Sequence, residues 1–181
     1  MKKKTVNTLL VLCFTALACG CGYKSGSLLP AELKTIHIDN FTNEINIAQE
    51  VSDKRADYSY WPGMERQITL AVNDRLVYDS DLDVTSSAKA DIVLKGALVD
   101  FRQYPLSYND DEQVEERRIE IYVDMELYNN QTQETMWTEK RFMGYSTYDV
   151  IGPDAETEQQ GINKAVDDLA QRILERVTEA W

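Results

Sequence analysis

The sequence predicts an α+β fold, in which two amphipathic helices pack on one face of a four- to five-stranded, mostly antiparallel sheet. Two observations predict it. Apolar residues recur at helical spacing near residues 62–78 and again after residue 157, while the segments before and between them alternate apolar and polar residues. Since each helix and the sheet have one apolar face, they bury these faces against each other as a two-layer sandwich. The predicted order is β-α-β-β-β-β-α.

The sequence of the first half of the domain predicts a strand, a helix and two further strands. In order, they are a strand (34–41), a long loop (42–60), a helix (62–78), a short strand (82–85) and a long strand (91–104). Ile36 and Ile38 alternate with polar residues in the first strand. Pro62 suits the first helical position, and Gly96 is expected to form a bulge or bend. The helix between the first two strands predicts a βαβ crossover.

The sequence of the second half of the domain predicts an antiparallel meander followed by a C-terminal helix. In order, they are an acidic turn (109–116), a strand (117–128), a turn (129–132), a strand (135–148) and a helix that ends at Trp181. Thr157 and Gln160 form a capping-box pattern, and Asp168 with Arg172 a supporting i,i+4 pair. The strand 117–128 alternates most cleanly. Its predicted inward residues are Ile119, Ile121, Val123, Met125 and Leu127, and its outward residues are Glu120, Tyr122, Asp124, Glu126 and Tyr128.

Composition excludes several classes of function. The chain has 181 residues, of which 43% are hydrophobic and 28% charged, as in an ordinary globular domain. Its formal charge of −12 argues against nucleic acid as a partner, because phosphates need clustered Lys and Arg. One His and three Cys leave too few ligands for zinc, haem or iron–sulfur chemistry. We therefore expect no metal and no cofactor.

No catalytic constellation occurs in the sequence, and we expect the protein not to be an enzyme. It contains no G-x-S-x-G, P-loop, H-E-x-x-H or G-x-G-x-x-G motif. His37 is the only imidazole and has no second His to join it. The acidic run 110–112 lacks the alternation of a calcium loop, and we interpret it as a solvated hairpin tip.

The first twenty residues have the pattern of a secretory signal peptide. Three lysines follow Met1, and the apolar segment 6–18 is too short to span a bilayer comfortably. The sequence A-C-G-C-G follows and resembles a bacterial lipobox, in which Cys becomes the first mature residue and carries acyl chains such as palmitate. Cys21 is the expected lipidation site and Cys19 the alternative. A plain secreted protein with an unused thiol is the remaining interpretation.

Cleavage before Cys21 divides the chain into a signal peptide (1–20), a lipidated tether (21–33) and a single α+β domain (34–181). No Cys follows residue 21, so the mature domain has no disulfide and depends on its hydrophobic core. Loss of the three N-terminal lysines takes the formal charge from −12 to −15. Gly22, rather than Asp, follows the Cys, which by resemblance to lipoprotein sorting rules favours the outer membrane.

Tyrosines are concentrated in and beside the predicted strands. Tyr122 and Tyr128 face away from the predicted core, where Tyr supplies contact area together with a polar group. They are our candidates for contact with a partner protein. Packing between neighbouring strands is the alternative interpretation.

Several short motifs follow one another along the chain. They are G-C-G-Y (20–23), I-H-I-D-N-F-T-N (36–43), E-x-x-I-T-x-A-V (65–72), A-D-I-V-L-K-G (90–96), E-R-R-I-E-I-Y-V-D-M-E-L (116–127), M-W-T-E (136–139), R-F-x-G (141–144) and A-V-D-D-L-A-x-R-I-L-E-R (165–176). In this order they resemble the LptE family of outer-membrane lipoproteins, which assemble lipopolysaccharide (LPS). The resemblance covers nearly the whole mature chain.

The resemblance implies a lipid-anchored protein at the periplasmic face of the outer membrane. Such proteins plug the lumen of a large barrel, LptD, and help LPS to reach the cell surface, so an LptD-like barrel and LPS are the expected partners. The implied fold of two helices on a four- or five-stranded sheet agrees with the fold predicted from periodicity. Lipid-anchored activators of peptidoglycan synthases and secretion-channel lipoproteins are the alternative class, because they too are non-enzymatic α+β domains.

The chain departs from the family at the residues expected to contact LPS. In better-known members, basic residues in the long hairpin and before the last helix are thought to touch LPS phosphates. Here the corresponding stretches, 109–116 and 150–157, are acidic and would repel phosphate. Either other residues bind LPS, divalent ions bridge, or this member is mainly structural. The candidate replacements are Arg102, Arg117, Arg118, Lys140 and Arg141, for which pairing with neighbouring acids is the alternative interpretation.

Overall fold

The computed structural model describes residues 29–45 and 62–179. The predicted signal peptide, both candidate lipidation cysteines and most of the predicted loop 42–60 lie outside these residues. The described elements, in chain order, are β1 (Thr35–Ile38), β2 (Thr42–Asn43), α1 (Met64–Asp79), β3 (Asp83–Val84), β4 (Ile92–Tyr108), β5 (Val114–Asn129), β6 (Glu134–Asp149) and α2 (Glu158–Glu179).

The strands form one mixed sheet in the order β3-β1-β4-β5-β6, with β2 also beside β4. The long strands β4, β5 and β6 pair antiparallel, which confirms the predicted meander. β1 pairs parallel with β3, which confirms the predicted crossover through a helix. The predicted fold class is therefore confirmed, although the sheet has six strands and its β1–β3 side is parallel.

Both helices pack on one face of the sheet, which we call the inner face. The alternation predicted for β5 is confirmed here, since its five inward residues are at most 2% exposed. Gly144 in β6 allows α2 to approach closely, because a Cβ at this position would lie 2.4 Å from the Cβ of Leu169. No helix among the described residues combines the length and the apolar character needed to cross a bilayer.

The region around Gly96 differs from the prediction. Gly96 pairs regularly with Met125, and the irregularity in the ladder falls instead between Leu98 and Asp100. The glycine is needed for packing, because a Cβ there would lie 2.2 Å from the ring of Phe41. Seating that ring brings the following residues Thr42–Asn43, predicted as loop, alongside β4 as the parallel strand β2.

The two helices begin in different ways. The capping box of α2 is confirmed, since Gln160 Oε1 accepts hydrogen bonds from the backbone N–H of Thr157 at 2.8 Å and from its hydroxyl at 2.9 Å. The prediction that Pro62 begins α1 is wrong. Gly63, with φ of 92°, occupies the position before the helix, which begins at Met64. A left-handed residue cannot continue a right-handed helix, so Pro62 stays outside it.

Asp91 fixes the start of β1 against β4. One carboxylate oxygen accepts hydrogen bonds from the backbone N–H groups of Lys34 at 3.0 Å and Thr35 at 2.9 Å, and from the Thr35 hydroxyl at 2.8 Å. The other oxygen accepts one from the Gln131 amide at 2.8 Å. The backbone N–H of Lys34, with the other donors, holds the pKa of Asp91 well below its usual range. The carboxylate thus joins the two strands while it is ionised.

Candidate interaction face of the sheet

The face of the sheet that points away from both helices, which we call the outer face, concentrates basic and aromatic side chains. The strand register brings them together. Arg102 of β4 lies opposite Glu120 of β5, and Glu120 lies opposite Tyr145 of β6. In the next pair of positions, Asp100 of β4 lies opposite Tyr122 of β5. Side chains directly opposite on one face are close enough to interact.

Glu120 lies at the centre of this face and accepts three hydrogen bonds. One oxygen accepts from the Tyr104 hydroxyl at 2.6 Å and from Arg118 Nε at 3.0 Å, and the other from the Tyr122 hydroxyl at 2.8 Å. Glu120 lies on the outer face, as its predicted outward position requires, but these neighbours cover it and leave it only 8% exposed. Burial alone would raise the pKa of Glu120, but the bonds from both tyrosines and the charge of Arg118 outweigh it and lower the pKa.

Asp100 makes a second centre in the same face. Its carboxylate accepts hydrogen bonds from Arg102 Nε at 3.0 Å and from Arg141 Nη2 at 2.7 Å. Both guanidinium groups also lie over the ring of Tyr122, at 5.3 Å and 4.5 Å from its centroid. We call Arg102, Tyr122 and Arg141 the Tyr122 stack. Such cation–π contacts stabilise the arrangement by about 0.5–1 kcal/mol each at exposed sites.

A matching arrangement surrounds Tyr145. Arg118 and Arg172 lie over its ring at 4.2 Å and 5.1 Å from the centroid. Arg172 reaches this position from α2, where its partner Asp168 also accepts a hydrogen bond from the backbone N–H of Tyr145 at 2.9 Å. The predicted pair of Asp168 and Arg172 is therefore confirmed. It also ties α2 to β6, the edge strand at this end of the sheet.

A bulge in β6 brings Arg141 to the outer face. The β5–β6 register shifts between Val123 and Met125, and Arg141 has a φ of 51°. Asp124 stabilises the bulge, because one of its oxygens accepts the backbone N–H of Arg141 at 2.8 Å and the other accepts Lys140 Nζ at 2.8 Å. Burial opposes ionisation of Asp124, but the bonds from Lys140 and Arg141 outweigh it and lower its pKa.

The five basic residues predicted from the sequence do not form one patch. Arg102, Arg118, Lys140 and Arg141 meet on the outer face, whereas Arg117 lies on the other face, opposite Tyr148. Each of the four has an acidic partner: Asp100 pairs with Arg102 and Arg141, Glu120 with Arg118, and Asp124 with Lys140. Lys140 and Arg141 are nevertheless the most accessible, with 71% and 50% of their side chains exposed.

Both tyrosines predicted to contact a partner lie on the outer face, but their surroundings differ. Tyr122 is half-buried within its stack, whereas Tyr128 lies under Lys95, whose Nζ is 4.9 Å from the ring centroid. The sequence interpretation missed Tyr145 and Asp100. Alternation alone does not place either residue on the face of Tyr122. Asp100 follows the register shift after Leu98, and Tyr145 follows the bulge of β6 at Arg141, so both positions depend on irregularities that the sequence pattern does not show.

Around Lys95 the outer face forms a shallow depression of about 350 Å³. Its charged lining residues are Asp39, Glu44, Lys95, Asp124, Glu126 and Lys140. Carboxylates outnumber lysines here, so this end of the face does not favour an anion. Within residues 29–45 and 62–179, no three His, Cys, Asp or Glu side chains converge in a way that could hold a metal ion.

The fold just described can be compared with known families. The sequence model of one family, described as "LptE: Lipopolysaccharide-assembly", matches residues 33–177. The chain belongs to the LptE family. The match begins before β1 and reaches the last turns of α2, so it covers both the sheet with its outer face and the two helices. No curated protein matches the sequence.

Solved structures with a similar arrangement include a dodecameric protein and two lipoproteins. The first is a PelC variant dodecamer from Paraburkholderia phytofirmans, with a TM-score of 0.49 and 17% identity, which covers 85% of this chain and 93% of that one. The second is lipoprotein B from Nitrosomonas europaea, with a TM-score of 0.46 and 13% identity, which covers 84% of this chain and 90% of that one. The third is rare lipoprotein B from Shewanella oneidensis, with a TM-score of 0.44 and 14% identity, which covers 80% of this chain and 90% of that one. All three TM-scores are below 0.5, and no more than 17% of the residues of this LptE family member are identical in any of the three structures.

Proposed function

We propose that this protein is a non-enzymatic outer-membrane lipoprotein that plugs the lumen of an LptD-like barrel and takes part in LPS assembly. The observation that carries the proposal is the match of the LptE family across residues 33–177. In the proposal, acyl chains on Cys21, or on Cys19 as the alternative, hold the domain at the periplasmic face of the membrane.

The chemistry of the outer face supports a place inside a large barrel. The lumen of such a barrel is polar, and the outer face offers aromatic rings with polar groups and arginines already held in position. A side chain that is ordered before binding loses less conformational entropy in the complex. Tyr122 and Tyr128 are the proposed barrel contacts, because both lie on this face.

An LPS phosphate that binds the outer face must displace existing ion pairs. We propose Lys140 and Arg141 as the main contacts, since they are the most exposed of the four basic residues. A phosphate would compete with Asp124 and Asp100 for them. Arg102 and Arg118 are more covered and complete the proposed set on this face. Arg117, on the inner face, would need a separate contact.

Purification of the tagged protein from its own cells in mild detergent tests this function. We expect an LptD-like barrel to co-purify in comparable amount, and depletion of the protein to remove LPS from the cell surface while the barrel misassembles. Co-purification only with a peptidoglycan synthase, or isolation as a homo-oligomeric ring, together with normal surface LPS, would contradict the proposal and favour the alternative lipoprotein class.

A further inference from the structure

The two helices leave a groove on their solvent side that the proposed function does not use. It lies between α1 and α2, has a volume of about 570 Å³, and we call it the α1–α2 groove. Its lining includes Gln67, Leu70, Asp74, Tyr78, Val166 and Asp167. We propose that the α1–α2 groove binds a basic amphipathic helix of a partner protein.

Exposed apolar side chains along the groove are the first argument. Leu70 is 55% exposed and Tyr78 is 81% exposed, although both belong to a helix whose opposite side is buried in the core. A helix that only covers a sheet has polar residues on its solvent side. The half-buried Ala71 adds apolar surface between Leu70 and Tyr78, and the buried Val166 lies at the bottom of the groove. The groove therefore offers an apolar track that this chain's described residues leave uncovered.

The dimensions of the track suit a helix. Along α1 the groove extends from Gln67 to Tyr78, a distance of about 16 Å at the rise of an α-helix, and its apolar part begins at Leu70. At the Gln67 end, its amide donates a hydrogen bond to Asn163 Oδ1 at 2.8 Å and joins the two helices. About three turns of a partner helix would fit along this length, and an amphipathic helix binds such a groove through its apolar side.

The charged residues that line the groove indicate that the partner helix carries positive charge. Asp74, Asp79 and Asp167 line it, whereas Arg75 is its one basic lining residue and is paired with Asp79 at 3.1 Å. The last turn of α1 has no basic residue, so the negative end of its dipole adds to the aspartates. A helix with Lys or Arg beside its apolar side complements this surface. A second copy of this acidic chain would be repelled.

The inference does not depend on the proposed function, because the groove lies on the side of the molecule opposite the outer face. The probe is a fluorescent peptide of about 14 residues that places Leu and Lys on opposite sides of a helix. It is titrated against the full-length lipoprotein in nanodiscs of zwitterionic lipid, with empty nanodiscs as the blank. The same peptide with Glu in place of Lys is the charge control. We expect only the Lys peptide to bind, and more weakly as salt rises.

Matched variants locate the binding. Asp74→Asn with Asp167→Asn should weaken binding of the Lys peptide by about tenfold or more, and Leu70→Ser by a similar factor. Asp110→Asn with Asp111→Asn removes the same charge from the hairpin tip and should leave the affinity within about twofold. All these positions are on the surface, and circular dichroism with thermal unfolding verifies that each variant folds.

Three outcomes would overturn the proposal. Equal weakening by the hairpin-tip pair would show that only net charge is sensed, and unchanged binding in the groove variants would place the peptide elsewhere. A self-associating wild type that Leu70→Ser turns into a monomer in sedimentation would make a second copy the occupant. If no barrel co-purifies with the protein but the Lys peptide still binds to the groove, the proposed function is contradicted and this inference is not.

Discussion

At the scale of single residues, two carboxylates organise the outer face. Asp100 and Glu120 are each 8% exposed, yet neither lies in the apolar core. Between them they bind Arg102, Arg118 and Arg141. Removing either acid would take away the carboxylate that accepts hydrogen bonds from the neighbouring arginines. The acids therefore set the positions of the arginines that a partner would meet.

Glu120→Gln should lower the free energy of unfolding by about 1–3 kcal/mol near neutral pH, because charged hydrogen bonds are lost. The pKa of Glu120 is lowered in the folded state, so this stabilisation is present above the unfolded pKa and is lost as pH falls through the folded one. The difference between wild type and variant, measured by denaturant unfolding, should therefore shrink in acid. Glu126→Gln, in an exposed pair with Lys95, is the control and should cost less than about 1 kcal/mol. A pH-independent difference would contradict the assignment.

Cys21→Ser should abolish labelling by a fatty-acid analogue and release the domain from the membrane. Acyl chains hold a protein by about 0.8 kcal/mol per buried CH₂, so their loss leaves nothing comparable in the proposed tether. Cys19→Ser is the matched control and should label normally. Labelling that survives Cys21→Ser and disappears in Cys19→Ser would make Cys19 the lipidated residue.

At the scale of elements, the long strands and α2 could be predicted because their patterns are local. The alternation from Ile119 to Leu127 and the capping box at Thr157 each lie within one segment. The need for a glycine at residue 96 depends instead on Phe41, which is distant in sequence. The packing of the Phe41 ring on Gly96 also brings β2 beside β4. Period-two alternation already separates Arg117 from Arg118, but grouping them by charge alone obscured this separation.

Leu169→Ala should lower the free energy of unfolding by about 2–5 kcal/mol. Leu169 is fully buried and its Cα and Cβ lie against Gly144, so the helix cannot move in to fill the cavity. Leu70→Ala changes the same residue type on the other helix, where it is 55% exposed, and should cost less than about 0.5 kcal/mol. Equal midpoints of chemical unfolding for the two variants would show that the assignment of the α2 face is wrong.

At the scale of the whole molecule, two opposite surfaces have different chemistry. The outer face has basic and aromatic side chains with paired charges, and the α1–α2 groove has apolar and acidic ones. Family membership could be predicted from the order of motifs. The Tyr122 stack and the arrangement around Tyr145 could not be predicted, because they require the β6 bulge at Arg141 and the approach of Arg172 from α2. Both depend on contacts between segments that are distant in sequence.

Tyr122→Ala should weaken binding of the barrel by about 2 kcal/mol or more, which is roughly 30-fold, if Tyr122 is the central contact of a wide interface. The variant loses both the ring between Arg102 and Arg141 and the hydroxyl bonded to Glu120. Tyr122→Phe keeps the ring and should have a smaller effect. Competition between tagged and untagged protein for the barrel measures both. A folded Tyr122→Ala variant that competes as well as wild type would remove Tyr122 from the interface.

Photo-crosslinking in living cells shows whether the outer face lies against an LptD-like barrel. A photoreactive amino acid replaces Tyr128. This residue lies on that face beside Lys95 and belongs neither to the Tyr122 stack nor to the arrangement around Tyr145. After irradiation, we expect a crosslinked product that contains this protein and the barrel. A product that contains only a peptidoglycan synthase or a second copy of this chain, with no barrel product, would contradict this placement.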